Sequence, residues 1–150
     1  MRVLLQRVTE AKVLIENKIH SEIQNGLLLL LGIEENDSKS DIEWLVKKVT
    51  NLRIFGDSEG KMNLSVKDIN GELLVVSQFT LYASAKKGNR PSFIKSAKPE
   101  IAIPLYKQFV ETINNEIETE VKAGVFGADM QVSLINDGPV TIWMDSKNKE

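Results

Sequence analysis

The residues best suited to chemistry fall in two short segments. The first, Ser77-Gln78-Phe79-Thr80-Leu81-Tyr82-Ala83, follows the apolar run Leu73–Val76 and precedes a basic stretch. Hydroxyls and an amide at the end of a rigid strand can orient a ligand or line an oxyanion site. The same groups can equally cap local backbone. The second segment, Asn136-Asp137-Gly138-Pro139-Val140-Thr141, separates strand-like runs at Met130–Ile135 and Val140–Met144, so it is expected as a loop at a sheet end. Proline removes a donor and restricts the residue before it. The Gly138-Pro139 pair exposes two carbonyls with little side-chain cover, enough to grip an amine while leaving no room for a substituent. A plain tight turn is the alternative.

The commoner catalytic kits are missing. His20 is the single histidine and sits in a polar strand beside a turn, where an ordinary edge position suits it better than a triad. The absence of cysteine excludes thiolate catalysis, disulfides and cysteine-ligated metal, and one histidine excludes a histidine-cluster zinc site. There is no Gly-x-x-x-x-Gly-Lys-Ser/Thr run, and Gly124 and Gly127 lack dinucleotide-loop spacing. No carboxylate pair lies in an obviously apolar setting that would raise a pKa. A hydrolase built from these residues needs an unusual mechanism. Lys86, Lys87, Arg90, Lys95 and Lys98 form a basic run that is either a solvated face or a set of phosphate contacts.

The elements that must position these residues follow from periodicity. Val3–Val8 and Ala11–Ile15 read as strands, with turns at Asn17-Lys18 and, as a hairpin signal, Asn25-Gly26. Gly26–Ile33 carries five leucines without alternation, which predicts a strand covered on both faces. Ser40 and Glu43 form a capping pattern before a helix whose stripe is Ile42, Leu45, Val46, Val49 and Leu52. Asn70-Gly71 is a second hairpin signal, and Glu72–Gln78 a buried strand. A second helix starts near Pro99 or Pro104, with Ala102, Leu105, Tyr106, Phe109, Ile113 and Ile117 as its apolar face. Val121–Phe126, Met130–Ile135 and Val140–Met144 complete the strands. Without regular βαβ alternation, the expected class is α+β with a mostly antiparallel, barrel-like sheet and two main helices. The 150 residues suit one domain, 1–150, with 42% hydrophobic and 27% charged residues typical of a globular chain. A net charge of -2 argues against coating nucleic acid by charge alone. No run approaches the ~18 apolar residues of a membrane span, and the N-terminus lacks signal-peptide character. A cytoplasmic protein with no membrane partner is expected.

Ser77-Gln78-Phe79-Thr80-Leu81 and Asn136-Asp137-Gly138-Pro139-Val140-Thr141, in this order, resemble the two signature motifs of the D-aminoacyl-tRNA deacylase family. Met1–Val8, Arg53-Ile54-Phe55, Gly60–Asn63, Gly88–Phe93 and Gly127–Met130 also resemble it, so the likeness spans essentially the whole chain. An animal branch acting on L-alanine misplaced on a threonine tRNA has proline where Ser77 stands, which points here to the D-specific branch. The resemblance implies a homodimer with active sites at its interface, acting on the 3′ end of D-aminoacyl-tRNA and on glycine mischarged on tRNA(Ala), with no cofactor, no metal and no DNA partner. Gly138-Pro139, joined by a cis bond, would enter the partner's pocket and exclude L-amino acids. Arg7 would fix that segment, with Asn136 and Thr141 beside it. Thr80 and the Phe79 N–H would support the oxyanion, since a threonine without a paired base is a weak nucleophile. Ser77, Gln78, Phe79 and Met130 would line an adenosine pocket, and Lys86, Lys87, Arg90, Lys95 and Lys98 would meet the tRNA backbone. Two other functions fit the residues alone: a binding module without catalysis, and a hydrolase of other D-amino acid esters.

Overall fold

A computed structural model describes residues 1–149. The chain opens with β1 (Arg2–Ile15), longer than the two strands expected there, and turns into β2 (Lys18–Ile23) through Glu16 and Asn17, both at positive φ. β3 (Gly26–Gly32) follows, then α1 (Lys39–Asn51), the short pair β4 (Phe55–Gly56) and β5 (Met62–Leu64), and β6 (Glu72–Ser77). A single 3-10 turn (Phe79–Tyr82) leads through the basic stretch to α2 (Pro99–Asn114), β7 (Lys122–Ala123) and β8 (Gln131–Asp145). No described helix is long and apolar enough to cross a membrane.

β1 organises the sheet. One edge pairs antiparallel with β3 through Arg2–Val8 and with β2 through Ala11–Ile15, while the other pairs antiparallel with β8. Beyond β3 the ladder becomes parallel, β3 with β6 and β6 with β7. Each parallel step contains a helix, as such crossovers require. The expected α+β, barrel-like class holds, with this parallel wing added to the antiparallel part.

The leucines of β3 show why it lacks alternation. Leu27, Leu29 and Leu31 face the helices, packing with Leu73, Val75, Leu45, Val49 and Phe109. Leu28 faces the interior of the curved sheet with Leu74, Val76, Val8, Val13 and Ile23. Both faces of the strand are thus apolar because both are covered.

Several local expectations are corrected. Neither Asn-Gly pair makes a hairpin. At Gly26, an added Cβ would stand 1.9 Å from the backbone oxygen of Glu72, so glycine serves a close approach between strands. The Glu72 N–H donates to the Asn25 carbonyl at 3.1 Å. Asn70, at φ 48, ends a turn that feeds the parallel strand β6. The cap of α1 is Ser38 with Asp41, not Ser40 with Glu43: Asp41 Oδ2 accepts from the Ser38 N–H at 2.8 Å. The strand expected at Val121–Phe126 shrinks to Lys122–Ala123, because the chain turns over Val125–Ala128 with Gly127 at φ 78. Asn136–Thr141 is not a loop between two strands. It lies within β8, whose pairing to β1 skips from Val8↔Asn136 to Gln6↔Thr141, so the intervening residues bulge opposite Arg7.

Candidate active site

The first segment is held at the mouth of a cavity of about 320 Å³. The Gln78 N–H donates to the Leu31 carbonyl at 2.7 Å, extending the parallel ladder by one bond, and the chain then leaves strand geometry at Gln78. Three contacts fix the 3-10 turn. Gly32 packs beneath it so closely that a Cβ there would stand 3.0 Å from Leu81 Cβ and 3.1 Å from the Gln78 carbonyl oxygen. Arg2 Nη1 donates to the Leu81 carbonyl at 2.9 Å, with its guanidinium 4.2 Å from the centre of the Tyr82 ring. Ser96 Oγ donates to the Phe79 carbonyl at 2.7 Å. Arg2 is itself set by Asp145 Oδ2 at 2.8 Å. Burial alone would raise the Asp145 carboxyl, but the Arg2 hydrogen bond, the Lys147 N–H and the nearby positive charges together hold it below its usual range.

Ser77, Gln78, Phe79 and Met130 all line this cavity. Leu31, Ile33, Ala97, Ala102, Phe126, Gly127, Ala128, Asp129 and Val132 complete the wall. Its back is braced by Tyr106, whose hydroxyl donates to the Val75 carbonyl at 2.8 Å and whose pKa burial pushes up to about 12. Gly124 gives Met130 room, since a Cβ there would sit 2.6 Å from the Met130 sulfur. Thr80 is exposed on the 3-10 turn and is not among the lining residues; its Oγ1 accepts from Gln78 Nε2. That partner is an amide, which cannot take a proton as a base. In a turn whose first closing bond is Leu81 N–H to Gln78 carbonyl, the Phe79 and Thr80 N–H groups have no partner within the turn.

The second segment is fastened from both sides. Asn136 Nδ2 donates to the Arg7 and Val140 carbonyls, each at 2.9 Å, bridging the bulge. Thr141 Oγ1 donates to Asn136 Oδ1 and accepts from Gln6 Nε2, both at 3.3 Å. Arg7 Nε lies 2.8 Å from Asp137 Oδ2, an ion pair without hydrogen-bond alignment at that nitrogen. Arg7 Nη1 donates to the Ile54 carbonyl. The Gly138-Pro139 bond is cis and Gly138 has φ 113, a region open to glycine. A Cβ on Gly138 would meet Arg7 Nη2 at 2.8 Å. Gly138 and Pro139 are exposed and neither lines the cavity of their own chain.

Lys86, Lys87, Arg90, Lys95 and Lys98 are exposed, and none forms an ion pair among the described residues. His20 is exposed on β2 and is not among the cavity-lining residues. Sequence reasoning missed Arg2, Ser96, Phe126 and Asp129 as site-building residues. Arg2 shows in the sequence only as a charge ahead of the apolar run Val3–Leu5, which points to no partner, and Ser96 left no trace.

A barrel-like α+β chain with a hydroxyl- and amide-rimmed cavity at a strand end defines the class. The sequence profile of the D-Tyr-tRNA(Tyr) deacylase family matches residues 4–145. The chain belongs to that family, which is a family of hydrolases. It is 63% identical over 150 residues to D-aminoacyl-tRNA deacylases of Flavobacterium psychrophilum and Porphyromonas gingivalis, covering 100% of both chains in each comparison. Among solved structures, a c-Myc DNA unwinding element binding protein superposes with a TM-score of 0.92 at 41% identity, covering 97% of this chain and 98% of the other. A eukaryotic protein described as a probable D-amino acid tRNA deacylase superposes with a TM-score of 0.77 at 18% identity, over 95% and 97% of the two chains, which bears on the fold alone.

Proposed function

We propose that this chain hydrolyses the ester joining a D-amino acid to the terminal adenosine of tRNA, and glycine mischarged on tRNA(Ala), as a homodimer with sites at its interface. The observation that carries this reading is the convergence of Ser77, Gln78, Phe79 and Met130 on one cavity, with the Thr80 hydroxyl on the adjoining turn and only an amide beside it. The cavity takes the adenosine. Water adds to the ester carbonyl, the acyl C–O bond breaks, and the amino acid leaves as carboxylate while the tRNA keeps its 3′-hydroxyl. Thr80 and the Phe79 N–H stabilise the oxygen that gains charge, and the substrate's own 2′-hydroxyl helps activate the water. Gly138-Pro139 of one subunit enters the other's pocket. Its carbonyls hold the α-amino group, so an L side chain collides with backbone while a D side chain points away. Arg7, Asn136 and Thr141 hold the bulge in shape for this task. The exposure of Gly138 and Pro139, outside the cavity of their own chain, supports a reader lent across an interface.

The test is deacylation of D- and L-tyrosyl-tRNA side by side, with sedimentation of the same sample to read its oligomeric state. Release of D-tyrosine with L-tyrosyl-tRNA intact is expected from a dimer. Binding of both without hydrolysis, or equal hydrolysis of both, overturns the proposal.

A further inference from the structure

The cavity explains how a terminal adenosine is held, but not the surface beside it. From Leu73 to Pro99 the chain has no carboxylate, yet it carries five cations, Lys86, Lys87, Arg90, Lys95 and Lys98. Within this stretch three large apolar side chains face solvent: Phe79 is 56% exposed, Phe93 37% and Ile94 91%. Phe79 and Phe93 meet edge to face, with ring centres 5.0 Å apart and planes inclined at 72°. Phe79 belongs to the wall of the cavity, and Ile94, next to Phe93, belongs to a second hollow with Ser84, Lys86, Lys87, Ser92 and Lys95. Backbone hydrogen bonds in both directions between Ser84 and Ser92, at 2.8 and 2.9 Å, close the basic loop at its base and hold this hollow open beside the ring pair.

Exposed rings alternating with unpaired cations are the arrangement that binds single-stranded nucleic acid, bases on the rings and phosphates on the cations. A duplex buries its base faces and offers nothing to the rings. We propose that Phe93, with Phe79, forms a stacking step for the nucleotide preceding the terminal adenosine, and that Lys86, Lys87 and Lys95 follow the phosphates of the same single strand. This rests on the cavity holding the adenosine; it adds that the enzyme reads the single-stranded 3′ end rather than the terminal nucleoside alone. Phe93 belongs to neither core cluster, so its substitution leaves the packing of the sheet and helices intact.

Two measurements test the step. In the first, kcat/KM is compared between D-tyrosyl-adenosine and a D-tyrosylated cytidine-cytidine-adenosine trinucleotide. The wild type is expected to favour the trinucleotide, and Phe93→Leu to lower that preference at least about fivefold, the lower end of one stacked base. Phe93→Trp should retain it. An unchanged preference in Phe93→Leu, or an equal loss on both substrates, overturns the proposal. The second uses uncharged RNA hexamers ending in the same trinucleotide and reads binding by fluorescence anisotropy. Phe93→Leu should weaken binding, and Lys86→Ala with Lys87→Ala should flatten its salt dependence by about 0.7 in the log–log slope per lost phosphate contact. A blunt-ended RNA duplex that competes as well as the hexamer overturns the stacking step. Because this second arm requires no hydrolysis, it judges the step even where the deacylase reading fails.

Discussion

The two motif segments both lie where a strand departs from regular pairing, but they are built to opposite ends. Ser77–Thr80 runs off the end of the parallel strand β6; Ser77, Gln78 and Phe79 line a walled cavity, and Thr80 stands on the adjoining turn with its hydroxyl accepting from the Gln78 amide. Asn136–Thr141 is a bulge within β8, clamped by Asn136 and Arg7, and it leaves Gly138 and Pro139 exposed and outside the cavity that Ser77–Phe79 line. One segment is a receptacle and the other a projection. Under the proposed function the two halves complete each other between copies of the chain, which places the site at a subunit interface.

Three experiments set the two segments against each other. The largest effect is expected at the receptacle. Thr80→Ala should lower kcat on D-tyrosyl-tRNA by about 10²–10³-fold, the range for removing one oxyanion donor, with little change in KM; complete loss in single-turnover assays would instead make Thr80 the nucleophile. At the projection, Gly138→Ala brings a Cβ to 2.8 Å from Arg7 Nη2 at φ 113, so the bulge must shift. The expected result is at least about a tenfold loss in kcat/KM for the D substrate, together with about 1–3 kcal/mol of stability from the strained backbone, read by kinetics and denaturant unfolding. Release of D-tyrosine at the normal rate would remove the bulge from the site.

The smallest effect separates the strands that carry the two segments. Asp41 of α1 accepts from Ser146 Oγ at 2.7 Å and Lys147 Nζ at 2.9 Å, tying down the chain just past β8. Burial alone would raise the Asp41 carboxyl, but these bonds and those from Ser38 hold it far below the usual carboxylate range. A carboxyl depressed in the folded state contributes stability above its unfolded pKa of about 3.9, and that contribution is lost as pH falls through the folded value. Asp37 nearby, raised chiefly by burial, acts in the opposite sense. Below about pH 4, protection from hydrogen exchange, taken relative to the intrinsic rate at each pH, should therefore fall at residues 140–146 before 73–78, and Asp41→Asn should abolish the difference. Simultaneous loss of protection in both strands would show that the β8 end is not the weaker attachment.

Much of this architecture was legible in the sequence because burial leaves periodic traces. The unbroken leucines of β3, the stripe Ile42, Leu45, Val46, Val49 and the face Ala102, Tyr106, Phe109, Ile113 all pack as their spacing demands. The Asn-Gly pairs misled because a glycine needed for close strand approach looks the same in sequence as a glycine needed for a turn. The bulge was hidden for a related reason: a proline and a glycine between two apolar runs spell a loop, while the pairing of β8 to β1 on both sides is set by partners more than a hundred residues away. The motif residues of the cavity were visible as chemistry, whereas Arg2 and Ser96, which hold the 3-10 turn through its carbonyls, act at a range that no local pattern records.

Arg2 and Arg7 leave the same strand, five positions apart, one grasping the turn that bears Thr80 and the other the bulge that bears Gly138. The chain thus fixes the offset between socket and plug as a property of β1. In the proposed two-fold pair such offsets would be shared by symmetry. Seating one plug would then seat the reciprocal one, and the assembly would have no half-finished form.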